Sequence, residues 1–214
     1  MRKSVRKERI AEIEQVALSL FAEKGFAETS LDEIAQKVGL TKPSLYLYFK
    51  NKNDLFFKMI QSRFLYILDN MKTLVAEKED FSTKIRIFIL YYISHFFENR
   101  AFFRLIHKLR GEFIKHSNPK QKLAPKYKDF INLISEIMAQ GMQEKILKND
   151  DPLFLSVSLI GILNQNLLLT FGLKNSSKKS STEDKIIKED KMKIINKLTD
   201  KILNLFLNGV GRTK

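Results

Sequence analysis

The chain has 214 residues, of which 44% are hydrophobic, and it carries a formal net charge of +14 at pH 7. It is long enough to bury a sizeable core in one large domain, or in a small domain joined to a larger one. The lack of cysteine excludes disulfides, cysteine-bound zinc and thiol catalysis. The excess of positive charge favours a polyanion such as nucleic acid as a partner, although lysine richness can also reflect genome composition.

The charged N-terminus, MRKSVRKERIAEIEQ, lacks the apolar core of a signal peptide, so we expect a cytoplasmic protein. Residues 1–55 contain ten Lys and Arg against eight Asp and Glu, and five of the ten basic residues lie within the first nine positions. The N-terminal arm is therefore the basic part of this segment.

Two helices are predicted near the N-terminus, because apolar residues recur there at helical spacing. The first covers residues 9–24, and Gly25 offers a left-handed C-cap. Ser30 followed by Glu33 indicates a capping box, which opens a short helix over residues 31–38.

A third short helix follows after a tight turn. Gly39 ends the second helix where the turn is expected to need a positive φ. Thr41 is the N-cap candidate of the third helix, and Pro43 falls in its first turn, where a missing N–H costs little. Ala35 is small enough to let the two helices cross closely, and Leu45 points back at the second helix. This spacing indicates a helix-turn-helix, which is a DNA-binding motif.

The third helix carries an unbroken bulky run, LYLYF, at residues 45–49. At about 100° per residue, Leu45 and Phe49 fall on the inner face. The side chains of Lys42, Pro43, Tyr46 and Leu47 point outward. Ser44 and Tyr48 lie at the borders between the inner and outer faces. Outward tyrosines beside lysines suit a phosphate backbone, to which a phenol can donate a hydrogen bond. The alternative is a packed helical corner with exposed aromatic residues.

The stretch FAEKGFAETSLDEIAQKVGLTKPSLYLYFKNKNDLFFKMI resembles the DNA-binding head of the tetracycline-repressor (TetR) family of bacterial regulators. The resemblance depends on the Gly25-Phe26 helix end, on Thr29-Ser30 before the second helix, and on LYLYF with KNK behind it. The remainder of the chain resembles the family only in the number and length of its helices.

The resemblance implies a set of DNA-contact residues. Leu47 points outward beside them and is included in the predicted DNA-binding surface. Phosphate contacts would come from Thr29, Ser30 and Lys52, backbone contacts from Tyr46 and Tyr48, and base-edge contacts from Thr41, Lys42, Pro43 and Ser44. One position departs from the family pattern, since Leu31 stands where some members carry a base-reading arginine. Sequence preference would then depend on a contact from Lys42 to guanine, on methyl contacts and on DNA shape.

Six longer helices are predicted after this head. One begins after an Asn51 cap and runs to about Val75, and Asp151-Pro152 is a clear start signal for another. The others are expected near residues 81–98, 101–116, 124–147 and 183–208, with the Pro152 helix reaching 173 and a polar loop, KNSSKKSST, after it. The expected fold is all-α with about nine helices. It comprises a three-helix helix-turn-helix DNA-binding domain (residues 1–53) and a larger ligand-binding and dimerisation domain (residues 54–214).

The segment over residues 152–173 carries no charge and is long enough to span a membrane. Asn164, Gln165 and Asn166 lie at its centre, where each amide would need a partner. We therefore expect a helix that is buried on most sides, and no membrane partner.

A head that binds DNA through one short helix needs a second copy to gain affinity and register. We expect a homodimer whose interface includes the uncharged segment over residues 152–173 and the last helix. The interface residues expected on that helix are Ile187, Ile194, Leu198, Ile202 and Leu205. The alternative is an ordinary intramolecular core.

An aromatic stretch, FILYYISHFFENRAFFRLIHKL, includes two of the three histidines. No HExxH motif, Ser-His-Asp arrangement or close carboxylate pair accompanies them, so we predict no enzyme, no metal site and no cofactor. A phenol-bearing aromatic lining suits a flat or lipophilic small molecule, which the family holds between these helices. The expected ligand-binding residues are Phe88, Tyr92, His95, Phe96, Phe103, His107, Phe130, Ile134, Met138 and Asn164. Plain core is the alternative for any single aromatic residue.

These observations predict a ligand-responsive transcriptional regulator. It would be a repressor that binds a palindromic double-stranded DNA operator as a homodimer and is released by a lipophilic or aromatic effector. The helix over residues 101–116 is the expected lever between ligand and head. Three alternatives stay open: a regulator of the same fold that activates or lacks a ligand response, a membrane-anchored regulator, and an enzyme with an appended DNA-binding head.

Overall fold

The computed structural model describes residues 2–115, 119–171 and 191–210, with side chains described for residues 4–107, 127–171 and 191–209. No β-strand occurs in these residues, and the predicted all-α class is confirmed. Nine helices are described: α1 (Arg2–Lys24), α2 (Leu31–Lys37), α3 (Lys42–Tyr46), α4 (Lys52–Ala76), α5 (Phe81–Glu98), α6 (Arg100–Lys115), α7 (Pro119–Gln143), α8 (Pro152–Thr170) and α9 (Lys191–Val210). The predicted KNSSKKSST loop and Ile187 lie outside the described residues.

The predicted helix starts are confirmed by their capping bonds. The Ser30 side chain accepts from the Glu33 N–H at the start of α2, and the Thr41 side chain accepts from the Ser44 N–H at the start of α3. Asp151 caps α8 in the same way, with Pro152 in the first turn. These short polar side chains satisfy N–H groups that a helix start leaves without an intrahelical partner.

Several helix ends differ from the prediction, among them ends of the first, third and seventh helices. The first helix begins at Arg2 rather than at residue 9, because charged residues that favour helix extend it without an apolar pattern. The third helix stops at Tyr46, after five residues, and a turn carries the chain on to Phe49. The seventh helix ends at Gln143 because Lys145 takes a left-handed φ of 59°. The Ile146 N–H then returns to the Gly141 carbonyl at 2.9 Å, as in a Schellman motif.

The first compact unit comprises Met1–Tyr66 and Asn99–Lys126. In it α1 packs on α2 and α6, and α2 packs on α3. Phe102 on α6 makes an edge contact with the Phe64 ring of α4, with centroids 5.9 Å apart. This grouping joins α6 and much of α4 to the three-helix head, whereas the domain boundary predicted after residue 53 separates them.

Three phenylalanine rings join α1, the turn after it and α4 in the first unit. Phe21 lies 5.4 Å from Phe26 and 5.5 Å from Phe56, and the Phe26 and Phe56 rings lie 5.0 Å apart. Phe21 is fully buried and Phe56 nearly so. Burial of each such ring contributes about 1.5–3 kcal/mol, so this cluster fixes the turn that precedes α2.

Lys52 holds the same turn from the opposite side. Its ammonium donates to the carbonyls of Phe26 at 2.8 Å, Ala27 at 3.0 Å and Thr29 at 2.9 Å. It also lies 4.6 Å from the centroid of the Phe26 ring. A lysine has three N–H donors, so this arrangement uses all of them. Lys52 is a tie between the start of α4 and the turn before α2.

The second compact unit comprises Ile67–Glu98 and Tyr127–Lys214, and in it α9 packs on α5 and α8. The Phe81 N–H at the start of α5 donates to both carboxylate oxygens of Glu144, each at 3.1 Å. The Phe81 ring lies so close to Gly141 on α7 that an added Cβ would come within 2.7 Å of it. A glycine is therefore required where α7 meets α5.

The bonds of Lys52 predict a stability defect in a variant that removes them. We expect Lys52→Ala to lower the free energy of unfolding by about 1–2 kcal/mol, because three carbonyls lose a charged donor at a partly exposed site. Thermal unfolding without DNA measures the effect. Lys50→Ala is the matched control, since the Lys50 side chain is exposed. Unfolding of Lys52→Ala at the parent temperature would contradict this role.

Candidate DNA-binding surface and ligand cluster

The recognition segment, residues 42–49, divides into inner and outer side chains as the sequence predicts. Leu45 and Phe49 are each 1% exposed, whereas Tyr46 is 47% and Leu47 71% exposed. Lys42 and Pro43 are exposed, and Ser44 and Tyr48 are half-buried. The aromatic run thus anchors α3 with two side chains and presents the others to solvent.

The two residues before α2 do not behave alike. Ser30 is exposed, and its hydroxyl, which accepts from the Glu33 N–H at 3.1 Å, still has an O–H to donate. Thr29 is 1% exposed and its hydroxyl donates to the Gly25 carbonyl at 2.8 Å. The expected phosphate contact by the Thr29 side chain is therefore corrected, because that side chain closes the turn instead.

The phosphate contact expected of Lys52 stays a prediction, but the donors of this side chain are already used within the chain. All three of its donors are directed at carbonyls in the turn, so a phosphate could gain one only by displacing an existing bond. In this structure Lys52 supports the DNA-binding surface from behind.

Lys42 forms an ion pair across the helix-turn-helix. Its ammonium lies 2.7 Å from the Asp32 carboxylate on α2, and the two side chains are 47% and 61% exposed. This hydrogen bond, together with the attraction between the two charges, raises the pKa of Lys42. Lys42 is therefore a cation held at the surface by a partner on the neighbouring helix.

Arg6 is a contact that the sequence analysis missed. Its guanidinium donates to the Leu47 carbonyl at 3.0 Å and lies 5.2 Å from the centroid of the Tyr48 ring. It can reach the end of α3 because α1 continues as a helix to Arg2. The available signal was the basic N-terminal arm, but the arm's partner is 41 residues away. The arm thus reaches the recognition segment.

The ligand-binding residues predicted from sequence divide between the two units. Phe103 and His107 lie in the first unit, where their rings are in contact at a tilt of 45° with centroids 4.3 Å apart. The other eight lie in the second unit, and all but Asn164 are buried there.

The centre of the second-unit group is a set of adjoining rings. Tyr92 lies 4.9 Å from Phe96, 6.1 Å from Phe88 and 6.2 Å from Phe130, between centroids. The Tyr92 hydroxyl donates to the Asn164 side-chain oxygen at 2.7 Å. His95 lies beside the Phe96 ring at 5.4 Å. The cluster is apolar apart from the Tyr92–Asn164 pair and the His95 imidazole, an arrangement that suits a lipophilic ligand with a polar group.

The predicted interface residues on α9 do not share one environment. Leu205 is 62% exposed, and Ile194 and Leu198 are half-buried. Ile202 is only 2% exposed and belongs to the core of its own chain. Its assignment to the subunit interface is therefore corrected: α9 packs on α5 and α8 of its own unit, and Ile202 is one of its buried residues.

The uncharged helix α8 is less buried than expected. Six of its 19 residues are buried, while Leu153, Phe154, Val157 and Leu169 are at least half exposed. Phe154, Val157 and Gly161 follow one another at helical spacing, so the exposed side is an apolar face as far as Gly161, beyond which the exposed Gln165 interrupts it. By length and composition α8 could cross a membrane, a test that the core helix of a soluble protein also passes.

Among the residues with described placement, no group of three His, Cys, Asp or Glu side chains could hold a metal ion.

Comparison with known proteins identifies the head. Residues 13–59 match the model of the bacterial regulatory proteins of the tetR family. Over 139 residues the chain is 24% identical to the fatty acid metabolism regulator protein of Bacillus subtilis (strain 168). That alignment covers 64% of this chain and 70% of the relative.

Two solved structures share the fold over almost the whole chain. A candidate fatty acid metabolism regulator from Clostridium perfringens gives a TM-score of 0.73 at 25% identity, and the match covers 94% of this chain and 100% of that one. FadR from Bacillus subtilis in complex with stearoyl-CoA gives a TM-score of 0.72 at 19% identity, over 94% and 98% of the two chains. At the latter identity the likeness shows the fold alone.

The family match contains all of α2 and α3, together with the turn between them. The predicted helix-turn-helix head is therefore confirmed, and so is the larger helical domain that follows it. The segment over residues 13–59 is a DNA-binding head of the tetR family of bacterial regulatory proteins, so the chain is a DNA-binding transcription regulator, and the proteins similar to it are regulators rather than enzymes.

Proposed function

We propose that the protein is a homodimeric repressor that occupies a palindromic operator and is released by a lipophilic small molecule. The observation that carries the proposal is the recognition segment, where Leu45 and Phe49 are buried while Tyr46 and Leu47 stand in solvent. Large side chains that are exposed beside a lysine can contact the phosphates and bases of DNA. The site of action would be the cytoplasm, where the chromosome of a bacterium lies.

The proposed roles on DNA follow from the chemistry of each side chain. Lys42 would donate to guanine, and Thr41, Pro43 and Ser44 would lie beside it at the base edges of the major groove. Tyr46, Tyr48 and Ser30 would donate to phosphate oxygens. Leu47 would contact a thymine methyl group.

A substitution at Lys42 tests whether the exposed side of α3 contacts the bases of the operator. A duplex selected from a random pool should be a palindrome, because a symmetric dimer places its two heads on equivalent half-sites. We expect Lys42→Ala to relax the preference at one base pair in each half-site, at a cost of about 1–3 kcal/mol per lost contact. Binding to the selected duplex and to base-substituted duplexes measures it.

Lys50→Ala is the control for this variant, because it removes an exposed positive charge outside α3. It should weaken all duplexes alike, as the loss of a general charge does. Base preferences that are the same in Lys42→Ala as in the parent would refute the assignment of Lys42 to base reading.

The apolar face of α8 supports the homodimer. Phe154 is 61% exposed, Val157 50% and Leu169 62%, and Leu205 on α9 is 62% exposed. Exposed apolar surface on this scale marks an interaction site. A second copy of the same face would cover it by two-fold symmetry and would also provide the second DNA-binding head.

Charged substitutions on this face test the dimer. Val157→Glu and Leu205→Glu should give folded monomers, because both side chains are exposed in the single chain and would bury an unpaired charge in the dimer. Light scattering after size exclusion measures the mass, and circular dichroism checks the fold.

Met192→Glu is the control on α9, since Met192 is 58% exposed but lies on another side of that helix. It should remain a dimer. A Val157→Glu variant with the mass of a dimer would place the interface elsewhere. Recovery of the parent protein only with membranes would instead favour the membrane-anchored alternative for α8.

The effector proposal concerns the aromatic cluster of the second unit. Its rings would surround an apolar chain, and the Tyr92–Asn164 pair would meet a carbonyl or hydroxyl group. Two similar proteins are described as fatty acid metabolism regulators, and a protein of the same fold binds stearoyl-CoA. These names favour a long-chain fatty acyl group as the ligand. Since the rings are buried against one another, they must separate to admit it.

Release from DNA requires that the ligand favour a conformation in which the head binds the operator less well. Within the first unit α6 packs along α1 and touches α4 through Phe102 and Phe64. A displacement of α6 would therefore reach the helices that support the recognition segment. This supports the role of α6 as the lever.

Stearoyl-CoA is the probe for the effector. It should raise the melting temperature and weaken operator binding about 5- to 150-fold, the usual range of allosteric coupling. Asn164→Leu should reduce the thermal shift, because the polar group of the ligand loses its partner.

Asn166→Leu makes the same chemical change on α8 and is the matched control, since the Asn166 amide donates only to Ile162 of its own helix. A ligand that stabilises the protein yet leaves operator affinity unchanged would contradict the proposed switch.

A further inference from the structure

The ion pair between Asp32 and Lys42 joins the two helices of the helix-turn-helix on the side proposed to face DNA. The Lys42 ammonium donates to Asp32 Oδ2 at 2.7 Å. Asp32 lies in the first turn of α2, and Lys42 is the first residue of α3. An acidic side chain is unfavourable beside phosphates, so its position next to the base-reading lysine calls for a reason.

Stability of the helix supplies only a small part of that reason, since an exposed acidic side chain in the first turn of α2 gains only a small stabilisation from the helix dipole. The N-cap of α2 is Ser30, whose side chain accepts from the Glu33 N–H. Asp32 is exposed, and an exposed ion pair contributes little to folding. Replacing the Asp32 carboxylate with an amide would therefore leave the head folded.

The geometry of the ammonium group supplies a better reason. A lysine has three N–H donors, and Asp32 accepts from one of them. Two donors remain, and guanine presents two acceptors, O6 and N7, on its major-groove edge. A tethered Lys42 keeps those two donors on the base side of α3, whereas an untethered lysine, with its long flexible stem, can turn toward any phosphate within reach.

We propose that Asp32 is a positioning residue that directs Lys42 to a base edge and away from the phosphate backbone. The inference rests on the proposed DNA-reading role of Lys42 and adds to it a source of specificity on the neighbouring helix. Asp32 sets how well the protein distinguishes its operator from other DNA.

Asp32→Asn tests the inference, because the amide keeps the shape of the side chain and removes its charge. Binding to the selected operator and to random-sequence duplex is measured over a range of salt concentrations. We expect affinity for random DNA to rise and its salt dependence to steepen by about one ion per head, as Lys42 gains a phosphate. The ratio of operator to random affinity should fall by about two- to fivefold per head, which is the range of an exposed ion pair.

Asp200→Asn is the matched control. Asp200 pairs with Arg86 at 2.6 Å in the second unit, with side chains 50% and 47% exposed, so this variant also releases an exposed base by removing one acid. Its ratio of operator to random affinity should equal that of the parent. A double variant with Lys42→Met shows whether Asp32 acts through Lys42, since Asp32→Asn should then leave the ratio unchanged.

Each other result has a definite meaning. An unchanged or increased ratio in Asp32→Asn would overturn the inference, because Asp32 would then be only a competitor for Lys42. Equal effects of Asp32→Asn with and without Lys42 would also overturn it, since Asp32 would act on DNA directly. Failure of the parent protein to select any duplex would refute the proposed function itself, which separates that failure from these.

Discussion

A helix of five residues cannot hold its shape in water, so the whole DNA-reading surface depends on what lies behind α3. Isolated helices shorter than about 12–15 residues are marginal even with favourable sequences. Here the burial of Leu45 and Phe49 replaces the missing helical length. Each contributes about 1.5–3 kcal/mol on transfer from water. The outward side chains are oriented because these two are not free to turn.

The same dependence explains why distant residues gather around the motif. Arg6 reaches the Leu47 carbonyl of the recognition segment from α1, and Lys52 reaches three carbonyls of the turn before α2 from α4. Neither side chain needs to touch DNA to matter for binding. Both fix the angle at which a short helix is presented, and a small error in that angle would misalign every contact made by α3.

The features that could be predicted from the sequence are those decided within about four residues. The Ser30 and Thr41 caps, the glycine turn and the inner position of Leu45 are all of this kind. The Thr29 side chain was misassigned although its partner is only four residues away, because a hydroxyl serves a turn and a phosphate equally well. The bonds of Lys52 to the turn before α2 were not predicted, because its carbonyl partners lie 23–26 residues away along the chain. Composition does not show whether a lysine binds carbonyl groups of its own chain or a phosphate of DNA.

Periodicity in the larger domain shows that a helix has an apolar side but not what covers that side. Ile202 and Leu205 fit the same apolar pattern on α9, yet one is 2% and the other 62% exposed. The same holds for the predicted ligand-binding residues. Aromatic content does not show that Phe103 lies in the first unit and Phe96 in the second. Tertiary contacts decide both cases.

The glycines at positions 39 and 141 restrict substitution for different physical reasons. Gly39 has a φ of 66°, but nothing lies within 4 Å of the place a Cβ would occupy. Its constraint is conformational, so asparagine, which tolerates the left-handed region, is the substitute that relatives could carry there. A Cβ added at position 141 would lie only 2.7 Å from the Phe81 ring, so the constraint on Gly141 is volume. A change at position 141 calls for a smaller partner at position 81, and the two positions are therefore expected to vary together among homologues, whereas position 39 varies alone.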